Sequence, residues 1–220
     1  MSRPLLITDC DEVLLHMVSH FADWLDEAHG VHFDLSAPGF ADALSEKSTG
    51  APVGTERVWP LLDGFFETEM HRQNVVPGAA EALARIGEAA DIVVLNNIGD
   101  EHQAGRVRQL EAFHIRHRVL CNRGGKGRPV LELIEEFRPS AAVFVDDLAV
   151  HHESVAKHAP AVWRLHMIAE PRVAAHMPAA AHAHARIDDW ERATDWILAR
   201  FAEGPAGLDR VPTPVETAQP

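Results

Sequence analysis

The residues of this chain best able to do chemistry stand in four places. The apolar run "PLLIT" passes into Asp9, Asp11 and Glu12, and "DIVVL" ends in Asn96 and Asn97. "AAVFV" ends in Asp146 and Asp147, and Lys126 lies in the glycine-rich "NRGGKGRP". Carboxylates crowded at the end of a buried segment repel one another and lose solvation. Such a cluster needs a purpose, and a shared cation would supply one. Adjacent acids such as Asp146 and Asp147 call for a helix N-terminus or a metal ion. A lysine among them would offset negative charge on the acids and on an anionic ligand.

These residues need elements that bring them together. Short apolar runs at 4–8, 91–97, 117–121, 141–147 and 161–166 read as strands. From the second run onward they alternate with helical patterns such as "EHQAGRVRQLEAF" and "GRPVLELIEEF". Strands that are apolar throughout and alternate with helices form buried parallel sheets. The expected fold is α/β, a Rossmann-like parallel sheet flanked by helices. Ligands bind such sheets beyond the carboxyl ends of the strands, where the four places would converge.

Residues 15–77 break the alternation and are too long for a simple crossover. "SHFADWLDEAHG" puts Phe21, Trp24, Leu25 and Ala28 on one helical face and stops at Gly30. "ERVWPLLDGFFETEMHRQ" predicts a second helix, broken near Pro60, and the next helix begins at Pro77. The expected organisation is a core of 1–14 and 78–203, a helical insertion of 15–77, and a disordered tail of 204–220.

Composition bounds the partners. The chain has 220 residues, 46% of them hydrophobic, and 33 acids against 20 bases give a net charge of −13. That balance argues against nucleic acid and anionic membrane surfaces, which select basic faces. A small anionic ligand remains compatible, because a lysine and a metal invert the local sign. Cys10 and Cys121 are too few for a disulfide framework and read as reduced core fillers. With no leader pattern and no apolar run approaching about 18 residues, a cytoplasmic protein is expected. His151 and His152 read as neutral residues on a helix surface, and His182 and His184 as solvent-exposed rather than zinc ligands.

The motifs "LLITDCDEVL", "IVVLNN", "GGKGRP" and "VFVDD", in this order, resemble those of the haloacid dehalogenase-like hydrolases, over roughly residues 4–165. The insertion at 15–77 looks like that family's helical cap. The resemblance implies that Asp9 is a nucleophile forming an aspartyl-phosphate, and Asp11 the general acid and base. It implies Mg²⁺ bound by Asp9, the backbone carbonyl of Asp11, Asp147 and, through water, Asp146, with Lys126 holding the nucleophile. Asn96 departs from the family's Ser or Thr. Its amide can donate to a phosphoryl oxygen, with Asn97 beside it, but losing a well-placed donor costs on the order of 2.7–4 kcal/mol in comparable sites.

The implied reaction is hydrolysis of a small phosphorylated metabolite. A nucleotide is one candidate, because "FFETEMHRQNVVPGAAEAL" resembles the deoxyribonucleotidase-like branch. His16 and His20 are expected to face the substrate, whereas the aromatic residues of the insertion read mainly as its core. Two other readings stay open: a protein of this fold that only binds a phosphorylated ligand, and hydrolysis of another bond such as carbon–halogen. The retained Asp9 and Asp11 disfavour the first, and Asp11 disfavours the second. The oligomeric state has no signature in the sequence.

Overall fold

The computed structural model describes residues 2–37 and 39–207. The chain opens with β1 (Leu5–Thr8), then α1 (Val18–Trp24), β2 (Val31–Phe33), β3 (Leu44–Glu46) and α2 (Thr55–Thr68). Next come α3 (Ala79–Ala89), β4 (Asp91–Asn96), α4 (Gln103–Ala112), β5 (Arg118–Cys121) and α5 (Gly127–Phe137). It continues through β6 (Ala142–Asp146), α6 (Ala149–His158), β7 (Trp163–His166), α7 (Pro171–Ala174), β8 (Ala185–Arg186) and α8 (Trp190–Glu203).

Six strands form one parallel sheet in the order β5-β4-β1-β6-β7-β8. The central strand β1 lies between β4 and β6, with Thr8 in register with Val94 and Val145. The three chain segments that leave these strands are therefore neighbours in space, whatever their separation in sequence. β1 is completely buried, because helices cover both faces of the sheet. Leu6, Val94 and Val143 pack with α3 and α8 on one side, while Leu5, Ile7, Val93 and Phe144 pack with α5 and α6 on the other.

Between β1 and α3 the chain builds a separate apolar cluster around Phe21, Leu25, Val31, Val58 and Phe65. Phe21 makes edge contacts with Phe33 and Phe65 and stacks on Phe40, so the aromatic residues are mainly core. The segment is not purely helical. β2 and β3 pair antiparallel, Val31 opposite Glu46, and three-residue strands are too short to show a period. Pro60 does not break α2. It lies inside one continuous helix, close enough to the N-terminus that only an early hydrogen bond is lost. α3 starts at Ala79 rather than Pro77, after Gly78 at a φ of 80°.

His151 and His152 are not on the surface: they are 4% and 0% exposed, because the first turns of α6 press against the loop after β6. His182 is exposed and His184 partly buried. Residues 204–207 are docked rather than loose, with the Trp163 indole donating to the Gly204 carbonyl and Ala206 buried. The rest of the expected tail, 208–220, lies outside the described residues. Among the described residues no helix is long and apolar enough to cross a membrane.

Candidate active site

Asp9 stands one residue beyond β1, with its amide donating to the carbonyl of Val145. Its Oδ1 accepts from the Cys10 amide at 2.7 Å and from Lys126 Nζ at 2.8 Å. Lys126 caps α5, is completely buried, and also donates to Asp146 Oδ2 at 2.7 Å. The other Asp146 oxygen accepts from the Leu148 amide at 2.9 Å. One ammonium thus serves two carboxylates.

The third acid of this group is Asp147. Carboxylate oxygens of Asp9, Asp146 and Asp147 lie within 4.8 Å of one another. No cation of the described residues pairs with Asp147. Burial, reinforced by the charges of Asp146 and Asp9, holds its pKa well above the carboxylate range. Burial likewise pushes Asp9 up to about 7, against the opposing pull of Lys126. Burial works to raise Asp146, but the charge and hydrogen bond of Lys126, together with His151 and His152, outweigh it and hold the carboxyl below its ordinary value. Three acids against one ammonium is an arrangement short of positive charge, and its hard oxygen donors suit a divalent cation.

Asn96 ends β4 and is 1% exposed, and its Nδ2 is buried without a hydrogen-bond partner. A buried donor left open is costly unless something accepts from it. Asn97 differs. Its amide donates to the Gly124 carbonyl at 2.9 Å and meets His151 Nε2 at 3.2 Å, and its oxygen accepts from Asn122 at 2.8 Å. It braces the loop before Lys126, while Asn96 keeps the open donor. His16 is half-buried at the root of the insertion, its amide bonded to the Asn74 carbonyl and its Nδ1 buried without a partner. Burial lowers its pKa, so the ring is a neutral group.

The Asp11 carboxylate is not in the three-acid group. It is held by Arg106 Nη2 through Oδ1 and Oδ2 at 2.8 and 3.0 Å, and by Gln73 Nε2 at 2.7 Å. Neither Arg106 nor Gln73 emerged from the sequence reading. The available signal was an arginine sharing one helical face with Leu110, where an apolar residue belongs. Glu12 was read only as part of the acidic crowd. It adopts a φ of 57°, and its buried carboxylate accepts from the amides of Met17, Val18 and Glu170. It thereby ties the first turn of α1 to the segment after β7. Burial raises its pKa to about 7.

The sequence matches no protein-family model and no curated protein. Solved structures do match. One is a haloacid dehalogenase-like hydrolase from Xanthomonas campestris, 15% identical, covering 92% of this chain and 93% of that one, with a TM-score of 0.56. Another, from Streptococcus pneumoniae, is 8% identical over 87% and 97% of the two chains, with a TM-score of 0.60. The chain has the haloacid dehalogenase-like fold. A third structure of that fold, from Lactobacillus plantarum, carries a provisional phosphoglycolate phosphatase assignment. It is 14% identical over 89% and 99% of the chains, with a TM-score of 0.58. At these identities the likeness concerns the fold alone, and the chemistry has to be argued from the residues.

Proposed function

We propose that the chain is a Mg²⁺-dependent phosphohydrolase acting on small phosphate monoesters. The observation that carries this reading is the three-acid group around Lys126, with the open amide of Asn96 on the neighbouring strand end. Asp9, Asp146 and Asp147 would hold Mg²⁺, together with the Asp11 backbone carbonyl. The ion would supply Lewis-acid polarisation of the phosphoryl oxygens and neutralise the acids beside them.

The chain's own residues account for the other steps. Cys10 N–H and Lys126 fix Asp9 through one oxygen, and Oδ2 accepts no hydrogen bond from the described residues. An Asp9 carboxylate oxygen attacks phosphorus, the ester P–O bond breaks, and the phosphoryl group stays on Asp9. Lys126 and the Asn96 amide bear on the phosphoryl charge. Asp11, entering the step protonated on Oδ2, the oxygen that accepts from Arg106 alone, gives that proton to the departing oxygen, then takes one from the water that cleaves the aspartyl-phosphate.

The segment containing α1 and α2 acts as a cap over the sheet edge. A cleft of about 690 Å³ between α2 and the core loops is lined by Trp59, Phe66, Asn97, Asn122 and Arg123, among others. That size suits a small ligand, and Asn97 is its link to the Asn96 strand end, since Asp9, Asp11, Lys126, Asp146 and Asp147 do not line it. A cytoplasmic location belongs to the same reading.

The test is phosphate release from a panel of small esters, nucleoside monophosphates included, with Mg²⁺ or with EDTA. We expect metal-dependent turnover that falls on the order of 10⁴-fold or more in Asp9→Asn. Turnover indifferent to EDTA and to Asp9 would overturn the assignment. Tight binding of a phosphorylated ligand without turnover would identify a binding protein instead.

A further inference from the structure

Arg106 is the largest charged side chain with no exposure at all, and the reaction above gives it nothing to do. Its Nη2 donates to both oxygens of Asp11. Its Nη1 donates to Gln73 Oε1 at 2.9 Å and to Gln109 Oε1 at 2.8 Å. Gln73 in turn donates to Asp11 Oδ1, so Asp11, Arg106 and Gln73 close a ring of hydrogen bonds. The guanidinium lies 5.5 Å from the centre of the Phe66 ring, which belongs to the cap. Gln109 extends the network to the Met70 carbonyl, again in the cap's return path.

Gln73 immediately precedes the cap's return crossing, where Val76 N–H donates to the Leu14 carbonyl and His16 N–H to the Asn74 carbonyl. The network therefore joins a core helix, the cap and the Asp11 loop. A carboxylate gripped through both oxygens keeps one orientation. An isolated arginine is too costly to bury for simple filling.

We propose that Arg106, with Gln73, is a positioning residue that sets the Asp11 carboxylate relative to the leaving group and makes that setting depend on the cap. This inference rests on the phosphohydrolase reading and extends it. Asp11 matters most to a leaving group that cannot depart without a proton. An alkoxide such as that of a sugar phosphate is of this kind; 4-nitrophenolate is not.

The experiment compares kcat/KM for an alkyl phosphate and for 4-nitrophenyl phosphate in wild type, Arg106→Met, Arg106→Lys and Gln73→Leu. That parameter reports phosphoryl transfer to Asp9, so later hydrolysis of the intermediate does not mask the difference. Folding is checked by circular dichroism and melting temperature. If Arg106→Met does not fold, Gln73→Leu carries the comparison alone.

We expect Arg106→Met to lose on the order of 10²-fold on the alkyl ester, the lower end of what general acid–base catalysis supplies. The loss on the aryl ester is expected to be at least tenfold smaller. Gln73→Leu shows the same imbalance to a lesser degree, and Arg106→Lys partly restores the alkyl rate. Equal losses on the two esters, in folded variants of an active wild type, would assign Arg106 to structure and overturn the proposal. Wild type that turns over neither ester in the presence of Mg²⁺ would remove the phosphohydrolase reading and this role with it.

Discussion

Two ionic clusters flank the end of β1, and they are built differently. Around Lys126, carboxylates from two strand ends share one ammonium, so the cluster is short of positive charge and wholly within the core. Around Arg106 a single carboxylate accepts from one guanidinium nitrogen through both of its oxygens and from a glutamine, and part of the frame comes from the cap. The first cluster has one cation for three acids; in the second the carboxylate is paired through both oxygens, and Arg106 Nε is the atom left buried without a partner among the described residues. The contrast suits the roles proposed for them: a fixed anionic floor that takes up metal and phosphate, and an acid–base group that follows the lid. In a continued strand Asp9 and Asp11, two positions apart, would share a face; they diverge because β1 ends at Thr8 and the chain turns, with the Leu14 and Leu15 amides donating to the Cys10 carbonyl.

The sharpest way to break this contrast is Lys126→Met. Removing the shared ammonium leaves Asp9 and Asp146 buried without their partner. Breaking such a pair costs about 3–5 kcal/mol, read as a lowered urea midpoint in EDTA. Asp9→Asn should do the opposite. Burial already disfavours the Asp9 charge, so its neutral replacement should fold at least as stably while abolishing turnover. A destabilised Asp9→Asn beside an unaffected Lys126→Met would show that the cluster is not short of positive charge.

Metal addition separates the clusters next. An ion that binds only the folded state stabilises it by about 2.7 kcal/mol at a hundredfold excess over its Kd. Mg²⁺ should raise the melting temperature of the wild type and of Asp11→Asn, whose altered side chain lies in the Arg106 network. It should leave Asp147→Asn unmoved, because Asp147 is the acid without a cation. Equal Mg²⁺ responses in Asp11→Asn and Asp147→Asn would place the ion elsewhere.

The legibility of the two clusters differs for physical reasons. Five of the six core strands, their alternation with helices and the acids at their ends were readable, because each depends on residues adjacent in sequence; β8, two residues long, was not. Asp9, Asp146, Asp147 and Lys126 therefore emerged together. The Arg106 network did not, since its partners are brought in by tertiary packing: Asp11 and Arg106 are 95 positions apart. β2 and β3 were missed because three residues show no period, and Pro60 misled because its early place in α2 hides its cost. His151 and His152 were misjudged as surface residues, although they follow a buried and a half-buried acid at the start of a helix that packs on the sheet.

The smallest expected effect concerns how the acidic floor is held. His166 Nε2 lies 2.8 Å from the Asp147 carbonyl, and its Nδ1 accepts from the Ala180 amide. The neutral tautomer with hydrogen on Nε2 satisfies both bonds, and burial favours that neutral form. His152, with its pKa lowered to about 4 by burial, offers Nε2–H to the Asp146 carbonyl at 3.0 Å in the same way. These rings fix the peptides that carry the two acids but touch neither carboxylate. Groups that orient metal ligands are worth 10- to 100-fold in affinity, and partners of a backbone carbonyl belong near the lower end. His166→Leu should therefore weaken Mg²⁺ binding about tenfold by calorimetry. His166→Gln, whose amide can still donate, should recover part of it. Neither should alter the alkyl-to-aryl ratio governed by Arg106. A changed ratio with unchanged Mg²⁺ affinity would mean that the two clusters are one device rather than two.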